Sequence, residues 1–335
     1  MTVEVEARRY GSEKTGLISG YLFEVGEAGH PVDADAACAA LAGRAAGFAW
    51  LHFNLANQAS LRWLRQSVTL PEAFYETLQR ATSTRLEVAG DSVVAVINDA
   101  TVFGLETCEV ATLGVCVNAR LLISARHTPL RSTDRLRDAV RAGERFQSPL
   151  DLLAHLLRDQ ADILAQIVRT TAVDVDALED RLFANQIATS RPKLGAIRRM
   201  LVRLQRLLAP EPSALFRLLS RPLHWVHAGD VDRLRQAAEE LASSVGDCAA
   251  LVERVRLLQE EASAAIDEQT NRTLFILTGV TVIALPMTIL PGFFGMNVRG
   301  IPLRDYGGGF WIVVAFVFGL AGVGTMLLVR SRRDF

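Results

Sequence analysis

The chain has 335 residues, with 36 Lys and Arg against 37 Asp and Glu for a formal net charge of −1, and half of its residues are hydrophobic. A balance this even gives no overall basic excess, and no nucleic-acid partner is expected. The mean hydropathy of +0.21 is high for an ordinary soluble protein, and the excess is concentrated at the C-terminal end.

The opening "MTVEVEARRYGSEK" lacks the apolar core of a signal peptide, which predicts a cytoplasmic N-terminal region. Residues 1–147 read as a cytosolic α/β domain. "GLISGYLFEV", "GFAWLHFNL", "SVVAVIND" and the pair "VATLGVCV" and "RLLISARH", joined at Asn118 and Ala119, are rich in Val, Ile and aromatics and predict strands. "LPEAFYETLQR" and "STDRLRDAVRAG" predict helices, the second opening at a Ser/Thr cap. Cys38, Cys108, Cys116 and Cys248 are scattered without a CxxC pair, so neither a disulfide framework nor a zinc knuckle is expected.

Residues 148–229 read as a cytosolic helical region. Ser148, Pro149 and Asp151 combine a cap, a first-turn proline and an acidic third position, and Leu150, Leu153, Leu157, Ile163 and Ile167 follow at helical spacing. A second helix is predicted from Pro192 to Leu208, stopped by Pro210 and Pro212. Its arginines Arg198, Arg199, Arg203 and Arg206 follow an acidic segment of Asp174, Asp176, Glu179 and Asp180. These charges are either solvated or mutually paired, or the acidic set senses a metal. His224 and His227 flank Trp225 and admit a zinc pair or a plain loop-packing role.

From Asp230, a natural cap, one long helix is predicted over 230–294. Leu241, Val245, Cys248, Val252 and Val255 alternate four and three apart, the seam of a helix packed on other long helices. The pattern runs into 21 uncharged residues, 274–294, and after a loop at 295–309 a second span follows at 310–330. Each is long enough, at about 1.5 Å per residue, to cross a hydrocarbon core of about 30 Å. Arg272 before the first span and Arg330, Arg332 and Arg333 around the basic tail, 331–335, outnumber Arg299 and Arg304 in the loop. Both termini are therefore expected in the cytoplasm and the loop outside.

No GxxxxGK[ST], HExxH or GxSxG is present, so no enzyme activity is expected. Two spans cannot enclose a pore, so transport would need several copies around an axis. Thr281, Leu285 and Thr288 lie at i, i+4 and i+7 on one face of the first span, and Leu274 and Thr278 extend it inward. Threonines in register suit a pore wall, though a threonine bonded back to its own helix fits equally. Between Thr273 and Val298 no residue ionises. Any group that attracts cations or couples protons must then lie at the ends, at Asp267 or Glu268 on the helix or at Asp305 outside, where ordinary solvated charges are the simpler reading.

"FGMN" directly after the first span, with a short loop, a second span and a basic tail, resembles the CorA family of divalent-cation transport proteins, whose Gly-Met-Asn signature falls on Gly295, Met296 and Asn297. "LPMTILPGFFGMNVRGIP" and the distant "WLHFN" at 50–54 look like its ZntB branch. The resemblance implies a funnel-shaped homopentamer in lipid of the inner membrane, each chain giving an α/β cytosolic domain, a long stalk helix that lines the pore, and an outer second span. It implies Asn297 as a ring at the pore mouth, and Leu285 and Thr288 facing the lumen. Zinc is favoured as substrate, with magnesium or cobalt as the alternative, and no cofactor is implied beyond the transported cation. Read from the residues alone, Gly295 is equally a helix C-cap and Asn297 a loop residue. Phe294 stands where a Tyr is common in the family, and the loop carries Arg299 and Arg304 against a lone Asp305. A net positive mouth, repeated by symmetry, would repel arriving cations. A membrane-anchored metal-sensing scaffold without transport is the alternative from another class.

Overall fold

The computed structural model describes residues 15–24, 26–43, 47–80, 85–103, 107–184, 187–295 and 307–331. Their contacts form two compact units, Met1–Gln259 and Glu260–Phe335.

The first unit is built on a seven-stranded sheet in the order β2-β1-β3-β7-β6-β5-β4. The strands are β1 (Leu17–Glu24), β2 (His30–Pro31), β3 (Gly47–Asn54), β4 (Arg85–Ala89), β5 (Ser92–Phe103), β6 (Thr107–Val117) and β7 (Leu121–Arg126). All neighbours run antiparallel except β3 and β7. In β3 the even positions Phe48 and Trp50 go to one core, and the odd positions Ala49, Leu51 and Phe53 go to the other. The near-continuous hydrophobic run is thus the mark of a strand buried on both faces. The turn between β6 and β7 forms where expected: the Asn118 carbonyl oxygen Oδ1 accepts from the backbone N–H of Arg120 and of Leu121, at 3.0 and 2.9 Å.

One face of the sheet is covered by α1 (Ala34–Ala42), α2 (Gln58–Ser67) and α3 (Glu72–Arg80), through residues such as Ala37, Leu64 and Phe74. The other packs on α4 (Arg131–Arg141), α5 (Pro149–Phe183) and α7 (Pro210–Leu219), and on the start of the long α8 (Ala228–Phe294). Helices α1 and α2 and strands β2 and β4 are short, and the sequence pattern did not announce them. Asp33 and Asn57 cap the two helices, each accepting from a backbone N–H.

Two expected caps differ in detail. Helix α4 starts at Arg131 and its preceding Leu130 offers no side-chain cap; Asp99 of β5 takes that role, its Oδ2 accepting from the Ser132 N–H at 2.9 Å and the Ser132 hydroxyl at 3.0 Å. Asp230 lies in the first turn of α8, not before it. Its Oδ1 accepts from the Ser148 hydroxyl at 2.7 Å and from Arg233 at 3.0 Å, tying the start of α8 to the cap of α5. Ser148 itself caps α5 as expected, accepting from the Asp151 N–H at 3.0 Å, with Pro149 in the first turn.

A second core joins α5, α6 (Ile187–Leu208) and α8. Ile163, Ile167 and Val175 of α5 meet Leu194, Leu201 and Leu204 of α6, and Cys248 and Val255 of α8. The predicted four-three seam is therefore the packed face of α8. Helix α6 starts five residues before Pro192, which is accommodated inside it, and Pro210 does not only stop α6 but occupies the first turn of α7. The acidic and basic sets do not pair with each other. Asp176 and Glu179 engage Arg254 of α8, Asp176 at 2.7 Å, while the α6 arginines lie elsewhere. Cys116 and Cys248 are buried thiols, pushed by burial up to about 12 and about 11, and so are inert packing residues.

The second unit holds the rest of α8, a 67-residue helix about 100 Å long, and α9 (Gly309–Ser331). Both helices are long and apolar enough to cross a membrane, and only 6% and 11% of their most apolar windows are buried, unlike the core helix of a soluble domain.

Candidate functional site

The site residues expected in the first span occupy one continuous stripe of α8. Leu274, Thr278, Thr281, Leu285 and Thr288 are all exposed, Leu274 and Leu285 at 53% and 54%. A different stripe is partly covered: Gly279 is buried, and Ile283, Pro286 and Met287 are half-buried. At about 100° per residue the two stripes point in opposite directions. The covered stripe is the one that meets α9, where a Cβ added at Gly324 would lie 3.6 Å from Ile283 Cγ1. On α9 the corresponding face is Val313, Val314, Val317, Ala321 and Gly324, all buried or half-buried. The second helix thus covers the back of the first and leaves the threonine stripe open.

Two of the stripe's threonines, Thr281 and Thr288, bond back to their own helix. The Thr281 hydroxyl donates to the Leu277 carbonyl at 2.9 Å, and the Thr288 hydroxyl to those of Ala284 and Leu285 at 3.2 and 3.0 Å. This does not remove them from use. A hydroxyl that gives its hydrogen to the helix turns its lone pairs outward, and a hydrated cation presents water hydrogens. Within the described residues of the span, 273–295, there is no ionisable side chain. Asp267 and Glu268 are exposed on α8, two turns before Leu274.

Gly295 is an exposed turn residue directly after α8 ends at Phe294. Met296, Asn297, Arg299, Arg304 and Asp305 lie outside the described residues. His224 and His227 are both exposed and sit in a turn rather than on a helix, with His224 Nδ1 at 3.8 Å from Asp91 and Trp225 Nε1 donating to the Asp91 carbonyl at 2.8 Å. No group of three or more His, Cys, Asp or Glu suited to a metal occurs among the described residues.

"WLHFN" is a buried junction between β3 and β7. Arg126 Nε donates to His52 Nε2 at 2.9 Å, so the ring hydrogen is on Nδ1 and goes to the Ser124 hydroxyl oxygen at 2.8 Å. That oxygen also accepts from Trp50 Nε1 at 2.9 Å. Burial, and then the Arg126 and Arg137 cations, hold His52 well below the usual imidazole range. The motif therefore fastens the one parallel strand pair and carries no reactive group. The covered stripe of the first span, Gly279, Ile283, Pro286 and Met287, escaped sequence reasoning, because an all-apolar span has no polar side to set its orientation.

An α/β unit continued by a long helix into two adjacent spans defines an α-helical membrane protein of two spans. The chain belongs to the CorA family: residues 45–332 match the family model described as "CorA-like Mg2+ transporter protein". It is 30% identical over 290 residues to the divalent cation transporter CmaX of Pseudomonas aeruginosa, covering 84% of this chain and 86% of that one. It is 26% identical over 295 residues to the zinc transport protein ZntB of Pectobacterium atrosepticum, covering 84% and 87%. Among solved structures, full-length CmaX matches with a TM-score of 0.74 at 26% identity over 96% of this chain and 99% of that one. The CorA magnesium transporter of Methanocaldococcus jannaschii shares the fold, with a TM-score of 0.76 at 19% identity over 93% and 98%.

Proposed function

We propose that this chain is the protomer of a funnel-shaped homopentamer that moves divalent cations across the inner membrane, zinc in preference to magnesium or cobalt. In this reading both termini are cytoplasmic, α8 lines the axial pore and α9 forms the outer layer. The observation that carries the reading is the exposed stripe Leu274, Thr278, Thr281, Leu285 and Thr288, opposite the side that α9 covers. A lone protomer leaves that stripe bare, and a ring of copies encloses it. The preference for zinc rests on the relatives named as zinc transport proteins, against one named for divalent cations generally.

Gly295, Met296 and Asn297 form the selectivity filter at the outer mouth. A ring of Asn297 carbonyl oxygens accepts hydrogen bonds from a cation's bound waters, so the ion is selected while still hydrated. Leu285 forms a narrow apolar ring that gates by dewetting, between the Thr281 and Thr288 rings that offer oxygen lone pairs. Asp267 and Glu268 at the inner end raise the local cation concentration there, and Asp305 outside partly offsets Arg299 and Arg304.

The test is uptake of zinc, magnesium and cobalt by liposomes holding the purified full-length chain, compared with Asn297→Ala. Wild-type flux and its collapse in an Asn297→Ala protein of unchanged oligomeric size and melting temperature support the pore. No flux from the wild type leaves the metal-sensing scaffold, and unchanged flux in the variant removes Asn297 from the filter.

A further inference from the structure

Within the first unit, a cavity of about 880 Å³ opens between α6, strands β5 and β6, and α8. Arg198, Arg199, Arg203 and Arg206 form its wall on α6, and among the described residues no carboxylate lines it. Asn98 of β5 and Gln259 of α8 face the arginines across it.

The polar groups in this cavity are held in place. Asn98 is 1% exposed; its backbone N–H donates to Glu211 at 3.0 Å, its carbonyl accepts from Gln160 at 2.6 Å, and its side-chain Oδ1 accepts from the Thr112 hydroxyl at 3.2 Å. Gln259 Oε1 accepts from Arg198 at 3.3 Å, which turns its amide nitrogen the other way. That nitrogen and the Arg199 guanidinium converge over Gly195, where an added Cβ would meet them at 3.8 and 3.5 Å. Donors from two helices thus point at one place.

Four guanidinium groups at successive spacings of one, four and three residues on one helix repel each other, at a cost of some tenths of a kcal/mol per pair at about i, i+4. Asp176 and Glu179 of the upstream acidic segment are engaged by Arg254, and neither lines the cavity. Planar guanidinium forks match phosphate oxygens two at a time. The volume lies within the roughly 300–1,000 Å³ of small-molecule sites and exceeds what a lone phosphate needs. Val202 and Leu207 add apolar wall for the uncharged part of a ligand.

We propose that this cavity binds a soluble phosphate-bearing polyanion of nucleotide size. The arginines take the phosphates, and the Asn98 and Gln259 amides with the apolar wall take the remainder. Because Gln259 belongs to the helix that continues into the first span, an occupied cavity braces α8 against α6 and β5. The site does not depend on transport, and its test uses metal-free conditions so that the two readings fail separately.

Full-length protein in lipid nanodiscs with EDTA is titrated calorimetrically with ATP, ADP, tripolyphosphate and sulfate. ATP and tripolyphosphate are expected to bind once per chain with Kd below about 100 µM at low salt, weakening about tenfold at high salt as exposed charges are screened. Sulfate at equal ionic strength is expected not to compete. ATP tighter than tripolyphosphate shows that the base and sugar contribute; the reverse restricts the ligand to inorganic polyphosphate. The Arg199→Gln/Arg206→Gln variant is expected to bind at least tenfold more weakly with unchanged melting temperature and flux, and the Arg199→Lys/Arg206→Lys variant to recover part of the affinity. Should the glutamine variant fail to fold, phenylglyoxal labelling of the wild type read by mass spectrometry decides: ATP must protect Arg199 and Arg206. No binding by the wild type, equal binding by the glutamine variant, no protection, or a variant that falls apart into smaller oligomers because the arginines face a neighbouring copy, each overturns the proposal.

Discussion

Ser124→Ala isolates the role of the "WLHFN" stretch. Ser124 Oγ is the acceptor for two buried donors, Trp50 Nε1–H at 2.9 Å and His52 Nδ1–H at 2.8 Å, and all three residues are at most 2% exposed. Alanine removes the acceptor without removing either donor, and a buried unsatisfied donor costs about 1–3 kcal/mol. The two together are expected to cost about 2–6 kcal/mol, a large share of the roughly 5–15 kcal/mol that stabilises a domain. For a unit of this size the loss lowers the melting temperature by on the order of 5 to 15 °C. Tryptophan fluorescence during thermal or urea unfolding reads it directly, because Trp50 is one of the affected groups. Flux per correctly assembled protein is expected to match the wild type, since no residue of the junction belongs to the spans. A melting shift under about 2 °C would show that the donors find other acceptors and that the network is not what holds β3 to β7. Lost flux at normal stability would give the motif a functional role that its geometry does not suggest.

Acid should unfold the same unit through His52. Folding holds its pKa well below the ordinary value, so the unfolded chain binds a proton below about pH 6.5 that the folded chain refuses. The contribution is complete above that pH and is lost at about 1.4 kcal/mol per unit as pH falls toward the folded pKa. His52→Asn should flatten the slope between pH 7 and 5, and a slope equal to the wild type's would assign acid sensitivity to other groups. Cysteines at positions 285 and 288 should react with water-borne thiol reagents, whereas one at 283, against Gly324, should be protected; the opposite pattern would put the pore face on the wrong side of α8. Uptake should rise with an inside-negative potential, worth about 4.6 kcal/mol per 100 mV for a divalent ion. Any pH dependence should vanish in Asp267→Asn/Glu268→Gln/Asp305→Asn, and flux indifferent to potential would mean another driving force.

What the sequence made legible follows from how far each signal reaches along the chain. The two spans, the seam of α8 and the cap of α5 are set by residues within a few turns of one another, and each formed where its spacing indicated. Strands β1, β3, β5, β6 and β7 were legible for the same reason. The short elements and the true cap of α4 were not, because they depend on partners far away: Asp99 reaches Ser132 across 33 positions. The arginines of α6 illustrate the same limit from the functional side. Their spacing on one helix was plain, but from sequence the carboxylate-rich segment just upstream left solvated charges, mutual pairing and a metal-sensing cluster all open. Only in three dimensions does Arg254 engage Asp176 and Glu179, while the α6 arginines line a cavity together with Asn98 and Gln259. Charge along a chain therefore indicates a helix face, while the choice between a salt bridge and a ligand site is made by which element competes for the same counter-charge. In this protein the competing element is α8, the helix that also contributes Gln259 to the arginine-lined cavity and carries the open stripe of the candidate pore wall.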